Sequence, residues 1–373
     1  MSNDLAYRIM IAAGGTGGHV FPAIAIADAL REQRPSTQIT FVGTKDKIEW
    51  HAVPKAGYPI RNIWISGFHR RITWQNILFP VKLLTSIIQS MRIVADVKPH
   101  LFVSCGGYVA GPAGWVAEKR GIPTAIQEQN SFPGVTNRML AKQAQVIYTA
   151  FAQADQWLPK GKTKLVGNPT RKALVAVGRD EAVQRLGLDP LRRTLLVLGG
   201  SGGARSINEA MQANLNDLHD RLGIQIIWQA GTKYLAPIRE TLDVARYEHL
   251  ILTDFIHDMP AAYAAADLVV SRAGASSCAE LMLTGKPCVL IPSPHVAGDH
   301  QTKNAQAMQE SGAAVVLADT DATAKLATMV EQLIHNEAVL AKMGTSIKAL
   351  AAPNAAADIA NDLYNRLDHL YTS

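Results

Sequence analysis

One pattern recurs in this 373-residue chain and limits its folds more than any other: a short apolar run that ends in glycines and opens a helical stretch. Tyr7–Ala13 runs into Gly14-Gly15-Thr16-Gly17-Gly18-His19, and Thr194–Leu198 runs into Gly199-Gly200-Ser201-Gly202-Gly203-Ala204-Arg205. Such a run reads as a buried strand, and strands alternating with helical stretches argue for a parallel sheet covered on both faces. Behind the first start, Phe21–Gln33 has apolar residues at Ile24, Ala27, Ala29 and Leu30, one packed helical face. Strand-like runs follow at Gln38–Val42, Ile60–Ile65, Leu101–Ser104, Thr124–Glu128 and Val146–Tyr148, mostly with helical stretches between them. Behind the second start come a helix over Ile207–Leu222 and strands at Ile224–Gln229, Leu250–Thr253, Leu268–Ser271, Cys288–Ile291 and Ala314–Leu317.

Two such series predict two doubly wound, Rossmann-like parallel-sheet α/β domains. Pro169 interrupts any regular element, so the expected domains are 1–168 and 169–352. A last helix, Ala355–Leu370, follows Pro353 and is long enough to pack back on the first domain, giving 353–373 to it. Hydrophobic residues at 48% exclude a disordered chain. Cys105, Cys278 and Cys288 are too few for a disulfide framework and sit in strand-like or helix-like surroundings, as buried thiols do. No secretory signal is expected, because Arg8 comes late and the apolar stretch behind it ends in glycines. The longest uncharged run, Leu101–Ala117, falls short of the ~20 residues that a membrane span needs.

A net charge of +6 suits an anionic partner without saying which. Aromatics at 6% with scattered cations give no stacking platform, so nucleic acid is not expected. The glycine turns are more telling. Together with Cys105-Gly106-Gly107-Tyr108, three of them close strands, where glycine lets backbone amides approach an oxyanion at a helix start. Neither GGTGGH nor GGSGGAR satisfies G-x-G-x-x-G, which removes the best support for a dinucleotide-binding dehydrogenase. Gly161-Lys162-Thr163 resembles the end of a P-loop, but Gln156 stands where its first glycine belongs. Asp319-Thr320-Asp321 has the look of a metal-holding D-x-D, yet it precedes the helix Ala322–Leu333, where a cap is expected. His51 and His100 read as structural histidines.

His19 follows the first glycine turn at a helix start, where a neutral imidazole can take a proton from a hydroxyl. Arg272-Ala273-Gly274-Ala275-Ser276-Ser277-Cys278-Ala279-Glu280 sets small residues at a helix N-terminus and a carboxylate about one turn inside. That pairing suits a phosphate and a ribose diol; a capped helix with a solvated glutamate is the plain alternative. Pro292-Ser293-Pro294-His295, Asp299-His300-Gln301 and Asn304 form a further polar loop opening a helix.

In order along the chain, GGTGGHVFPAIA (14–25), the Gly106-Gly107-Tyr108 turn, Gln127-Glu128-Gln129-Asn130, Gly167-Asn168-Pro169-Thr170-Arg171, GGSGGARSIN (199–208), Asp254-Phe255-Ile256, SRAGASSCAE (271–280) and DHQTKNA (299–305) closely resemble one family. It is the bacterial peptidoglycan N-acetylglucosaminyltransferases of glycosyltransferase family 28, which add N-acetylglucosamine from UDP-GlcNAc to lipid I and form lipid II. One departure stands out: the His295–Asn304 loop is a residue longer than the common pattern.

The resemblance implies a GT-B fold, with two domains facing across a cleft, and an inverting β-1,4 transfer to the C4 hydroxyl of the muramic acid. UDP-GlcNAc contacts are implied at Ser201, Ile256, Ala275, Ser276, Ser277, Cys278, Ala279, Glu280 and Gln301 in the C-terminal domain. Others are implied at Thr16, Gly17, Gly18, Asn130 and Arg171, with Glu280 on the ribose. Gly14, Gly15, Gly106, Gly107 and Tyr108 would cradle the acceptor diphosphate, and His19 would be the catalytic base. No metal site and no cofactor beyond the substrate are implied. Cell-wall and division proteins are the implied protein partners, at the cytoplasmic face of the inner membrane.

A lipid-linked acceptor calls for contact with an anionic membrane surface. Phe68–Val94 fits, with Trp74, Ile77, Leu78, Phe79, Val81, Leu83, Leu84, Ile87 and Ile88 among Arg70, Arg71, Lys82 and Arg92. A core helix with basic ends, kinked or broken at Pro80, is the alternative. Two other functions share parts of this pattern. A UDP-GlcNAc 2-epimerase would have the Glu280-type donor site without a lipid acceptor, and a sugar-nucleotide sensor would bind UDP-GlcNAc and turn nothing over.

Overall fold

The computed structural model describes residues 6–67, 78–170, 172–200, 202–296 and 299–371. They divide into two compact units, residues 1–170 with 352–373 and residues 171–351. The first unit contains β1 (Arg8–Ala12), α1 (Gly17–Gln33), β2 (Gln38–Gly43), α2 (Glu49–Lys55), β3 (Ile60–Asn62), α3 (Phe79–Val97), β4 (Leu101–Ser104), α4 (Ala110–Lys119), β5 (Thr124–Glu128), α5 (Val135–Leu140), β6 (Val146–Thr149) and β7 (Thr163–Leu165). The second contains α6 (Arg179–Leu186), β8 (Thr194–Leu198), α7 (Arg205–Asn216), β9 (Gln225–Gln229), α8 (Thr232–Thr241), β10 (Leu250–Thr253), α9 (Met259–Ala265), β11 (Leu268–Ser271), α10 (Ala275–Thr284), β12 (Cys288–Leu290), α11 (His300–Glu310), β13 (Val315–Val316), α12 (Ala322–Ile334) and α13 (Glu337–Ala349). The closing helix α14 (Ala355–Tyr371) returns to the first unit.

Both sheets are parallel, in the orders β3-β2-β1-β4-β5-β6-β7 and β10-β9-β8-β11-β12-β13. The strand alternation explains the unbroken apolar runs. Ile9 and Ile11 face a cluster with Val20, Leu30, Val103 and Tyr148, whereas Met10 and Ala12 face one with Phe102, Val109, Val116 and Ile126. Helix α14 completes the first cluster with Ile359, Leu363 and Leu367, each fully buried and worth roughly 2 kcal/mol against exposure. Its carboxylates tie down the same helix: Asp368 takes Arg34 and the Tyr7 hydroxyl, and Asp362 takes Arg366, Lys164 and the Tyr148 hydroxyl.

Local physics moved several boundaries. Helix α1 begins at Gly17, not Phe21, because Thr16 O already accepts the N–H groups of His19 and Val20. Edge strand β3 stops at Asn62 rather than Ile65. The opposite edge, β7, is polar and partly exposed, so no apolar signal marks it. The expected helix Ile207–Leu222 is α7 followed by a π-helical turn over Asp217–Arg221. Pro80 neither kinks nor breaks a helix; it stands in the first turn of α3, where its missing N–H costs nothing.

Helix α3 carries apolar residues on its outer face as well as its inner one. Its buried positions are Ser86, Ser90 and Val94, while Val81, Leu83, Leu84, Ile88 and Met91 are exposed, as is Leu78 just ahead of it. Ser86 and Ser90 satisfy their hydroxyls on the carbonyls of Leu83 and Ser86. Phe79 and Ile87 turn inward against the core. Phe68, Arg70, Arg71, Trp74 and Ile77 lie outside the described residues.

Candidate active site

Strand order reverses between β1 and β4, and again between β8 and β11, and such switch points are where open α/β sheets bind ligands. The turns singled out in the sequence fall there in pairs. The Gly14–Thr16 turn follows β1, and Cys105–Val109 follows β4. Gly199–Ala204 follows β8, and Arg272–Gly274 follows β11. Ser201 in the third turn lies outside the described residues.

In the first unit the two turns touch. Gly107 sits at φ +83° with its α-carbon so close to Gly14 O that a β-carbon would stand 2.2 Å from it. Gly106 makes room for the His19 ring, since a β-carbon there would lie 2.8 Å from Cδ2. His19 occupies the first turn of α1, with Nδ1 3.2 Å from Thr16 Oγ1. When Nδ1–H donates to that hydroxyl, Nε2 carries the lone pair that a base requires. Tyr108 is exposed, with its ring over Gly67.

Beneath this assembly lies a residue that the sequence pattern did not single out. Glu49 is fully buried; its Oε2 accepts the Gly15 N–H at 3.1 Å, and its Oε1 accepts the Thr44 N–H at 3.1 Å and hydroxyl at 2.8 Å. The side chain passes between Gly14 and Gly43, each of whose β-carbons would stand 2.7 Å from it. The N–H expected at the acceptor diphosphate for Gly15 is therefore engaged from inside. The Glu49 side chain by itself calls for glycine at 14, where a β-carbon would collide with it.

Asn130 is held in the same manner. Glu128 Oε1 accepts its N–H at 3.0 Å and its Nδ2 at 3.1 Å, while Oε2 accepts Gly134 N–H and Asn137 Nδ2. Burial pushes the Glu128 carboxyl above its ordinary value, against these hydrogen bonds, which pull it down. Asn137 in turn accepts the Ser104 hydroxyl from the end of β4. Arg171 lies outside the described residues.

In the second unit, Gln229 at the end of β9 donates Nε2 to Gly200 O at 2.9 Å and to Asp254 O at 3.3 Å, joining the glycine turn to the Asp254-Phe255-Ile256 segment. Ile256 is buried and Phe255 exposed. Helix α10 begins at Ala275 with Gly274 as its N-cap and no side-chain cap, so Ala275, Ser276 and Ser277 form the first turn of an N-terminus suited to an anion. The Ser276 hydroxyl oxygen is buried without a hydrogen-bond partner among the described residues. Cys278 and Ala279 are buried on the core side, and burial pushes the Cys278 thiol up to about 12. Glu280 is half-buried, and its Oε2 accepts the Tyr263 hydroxyl at 3.0 Å. Gln301, in the first turn of α11, accepts the Ser293 N–H at 2.8 Å, and Asn304 donates to Ala273 O, bringing this helix to the β11 turn.

The Asp319-Thr320-Asp321 stretch leads into α12 with Asp321 at the N-cap position, as expected. Asp319 takes Arg272 Nη1 and the Ser206 hydroxyl, and Asp321, although at the N-cap of α12, makes no capping bond and pairs with Lys325 instead. His100 is structural, as read: its Nδ1 accepts the Arg8 N–H at 3.0 Å. A cavity of about 440 Å³ lies at the other end of the second sheet, lined by Arg179, Arg193 and Lys286 around Asp267. Arg179 and Lys286 cap the Ala264, Ala265 and Ala266 carbonyls at the end of α9, and among the described residues none of the expected site residues lines the cavity.

Comparison with known proteins gives the family. Residues 9–149 match the glycosyltransferase family 28 N-terminal domain, and residues 194–363 match the family's C-terminal domain. The chain is 43% identical over 359 residues to the UDP-N-acetylglucosamine–N-acetylmuramyl-(pentapeptide) pyrophosphoryl-undecaprenol N-acetylglucosamine transferase of Flavobacterium psychrophilum, covering 96% of this chain and 97% of that one. It superposes on a crystal structure of MurG from Acinetobacter baumannii with a TM-score of 0.75 at 28% identity, covering 96% and 99% of the two chains. A UDP-GlcNAc 2-epimerase from Neisseria meningitidis reaches a TM-score of 0.67 at 12% identity over 96% of this chain and all of that one, a likeness of fold alone. With GT-B architecture and near-full-length identity both in place, the chain belongs to glycosyltransferase family 28, among its UDP-GlcNAc-dependent transferases.

Proposed function

We propose that this transferase works by a single inverting displacement in which His19 is the general base. The activity is that of its family: N-acetylglucosamine passes from UDP-GlcNAc to lipid I, forming lipid II in peptidoglycan synthesis. His19 Nε2 takes the proton from the C4 hydroxyl of the lipid-linked muramic acid. The oxygen attacks the anomeric carbon as the bond to UDP breaks, turning an α-linked donor into a β-1,4 product. General-base assistance of this kind is worth ~10²–10⁴-fold. The leaving diphosphate gains charge, which the α10 N-terminus at Ala275–Ser277 and the backbone amides of the glycine turn after β8 offset. No metal ion is required in this scheme.

Glu280 holds the ribose diol, with Ile256 and Gln301 beside the uridine, and Ser201 and Arg171 take the further donor contacts that the family motif assigns. Thr16, Gly17, Gly18 and Asn130 also serve the donor. The acceptor diphosphate meets Gly14, Gly106, Gly107 and Tyr108, with the Gly15 N–H excluded by its bond to Glu49. The exposed apolar face of α3, flanked by Lys82 and Arg92, rests on anionic lipid. No described helix is long and apolar enough to cross a membrane, and the reading makes the enzyme a peripheral one at the cytoplasmic face of the inner membrane.

The observation that carries the reading is the contact of His19 with Gly106: one ring stands against both glycine turns of the first switch point. The test is UDP release from UDP-GlcNAc with and without a lipid I analogue, in the presence of EDTA. Release that depends on the analogue and ignores EDTA is expected. Release without acceptor would favour a hydrolase or epimerase, and loss of rate in EDTA would remove the metal-free scheme.

A further inference from the structure

We propose that Tyr263 is a positioning residue for the donor, holding the Glu280 carboxylate in the orientation that receives the ribose diol. This rests on the reading of Glu280 given above. Tyr263 and Glu280 stand on α9 and α10, the two helices that flank β11, and the Tyr263 ring is completely buried. Its hydroxyl donates to Glu280 Oε2 at 3.0 Å, and the Thr284 hydroxyl donates to the main-chain oxygen of the same residue.

The need for such a partner follows from the chemistry. A carboxylate that binds a vicinal diol must offer one oxygen to each hydroxyl, so the plane of the carboxyl group decides whether both bonds form. Rotation about its last torsion is soft and broad. A neighbour that is always a donor sets that rotation before the ligand arrives, which saves ordering cost on binding. Tyr263 is such a donor: burial first, and then the charge of Glu280, push its hydroxyl well above the ordinary tyrosine value, so it stays protonated at any working pH. A buried tyrosine whose hydroxyl only needed satisfying would do as well with a main-chain oxygen.

The test removes each partner in turn, from the protein and from the donor. Tyr263→Phe keeps the ring and its packing. With UDP-GlcNAc, KM should rise about fivefold, the size of one modest hydrogen bond, with kcat unchanged. With a 2′,3′-dideoxy analogue of UDP-GlcNAc, wild type and Tyr263→Phe should have equal KM, because no diol remains to be oriented. Glu280→Gln is measured on the same two donors. If it discriminates between them and Tyr263→Phe does not, the positioning role is overturned while the ribose reading stands. If neither variant discriminates, the ribose reading falls and takes this inference with it. A KM defect in Tyr263→Phe that persists with the dideoxy donor overturns it as well, since that is the mark of a damaged fold.

Discussion

The Oε2 atom of Glu49 accepts the N–H of Gly15 at 3.1 Å, from a carboxylate with no exposure to solvent. The first glycine turn is thus held from below by a buried side chain, and the glycines at 14 and 43 provide the space through which it passes. Replacing Glu49 by alanine should cost roughly 3 kcal/mol or more, because the Gly15 N–H and both Thr44 donors lose their acceptor in a dry interior. Glu49→Gln should cost less, since its amide oxygen can still accept while its amide nitrogen cannot. Urea denaturation reads both, and an unchanged midpoint for the alanine variant would show that the turn holds its shape unaided.

His19 and Gly106 should behave as a pair. His19→Ala should lower kcat at saturating substrates by ~10²–10⁴-fold. Gly106→Ala puts a β-carbon 2.8 Å from the ring on a backbone at φ +89°, so the imidazole must move. A misplacement of about 1 Å commonly costs on the order of 10²-fold, and the double variant should be no slower than His19→Ala alone. Additive losses would separate the ring from the second glycine turn.

Acid stability should expose the anchor of the C-terminal helix. Burial alone would raise the Asp362 carboxyl, but hydrogen bonds from Arg366, Lys164 and Tyr148 outweigh it and hold the group at about 2, against 3.8 unperturbed. A folded value below the unfolded one stabilises the protein at pH above the unfolded value, and that contribution disappears as pH falls from about 4 to about 2. It amounts to roughly 2 kcal/mol. Asp362→Asn should therefore lower Tm near neutrality, with the gap to wild type closing at about pH 2. A gap independent of pH would mean that the asparagine disturbs packing instead.

The outward face of α3 makes a separate prediction. Serine at Leu84 and Ile88, both exposed, should leave thermal stability within roughly 0.5 kcal/mol of wild type, since neither packs in the core. Co-sedimentation with vesicles rich in anionic phospholipid should drop, while turnover of a water-soluble acceptor analogue stays as it was. Undiminished sedimentation would move the lipid contact elsewhere on the protein.

Much of the fold could be read directly. The strands at Leu101–Ser104, Thr124–Glu128, Thr194–Leu198 and Leu268–Ser271 have the expected bounds, because a central parallel strand is covered on both faces and a turn stops it abruptly; the edge strand Leu250–Thr253 was also read with its bounds. Edge strand β7 left no such trace, having only one neighbour and solvent around it. On α3 the apolar residues were read as a surface face, and Val81, Leu83, Leu84 and Ile88, with Leu78 just ahead of the helix, are exposed. Ser86 and Ser90 share the inward side with Val94, Phe79 and Ile87, so apolar residues lie on both faces and periodicity alone does not separate them.

The candidate site shows the same division. Composition and spacing were enough to mark His19, the glycine turns and Glu280, because anion binding and proton transfer demand particular residue types at strand ends and helix starts. Glu49, Tyr263 and Asn137 belong to no such local rule. Their partners Gly15, Glu280 and Ser104 lie 34, 17 and 33 positions away, and only the crossing of the chain through two sheets brings them within hydrogen-bonding reach. Linear order thus marked the candidate groups, while tertiary packing decided which buried partners they and their neighbours meet. A hydrogen bond depends on distance and angle in space, and neither is written in sequence separation.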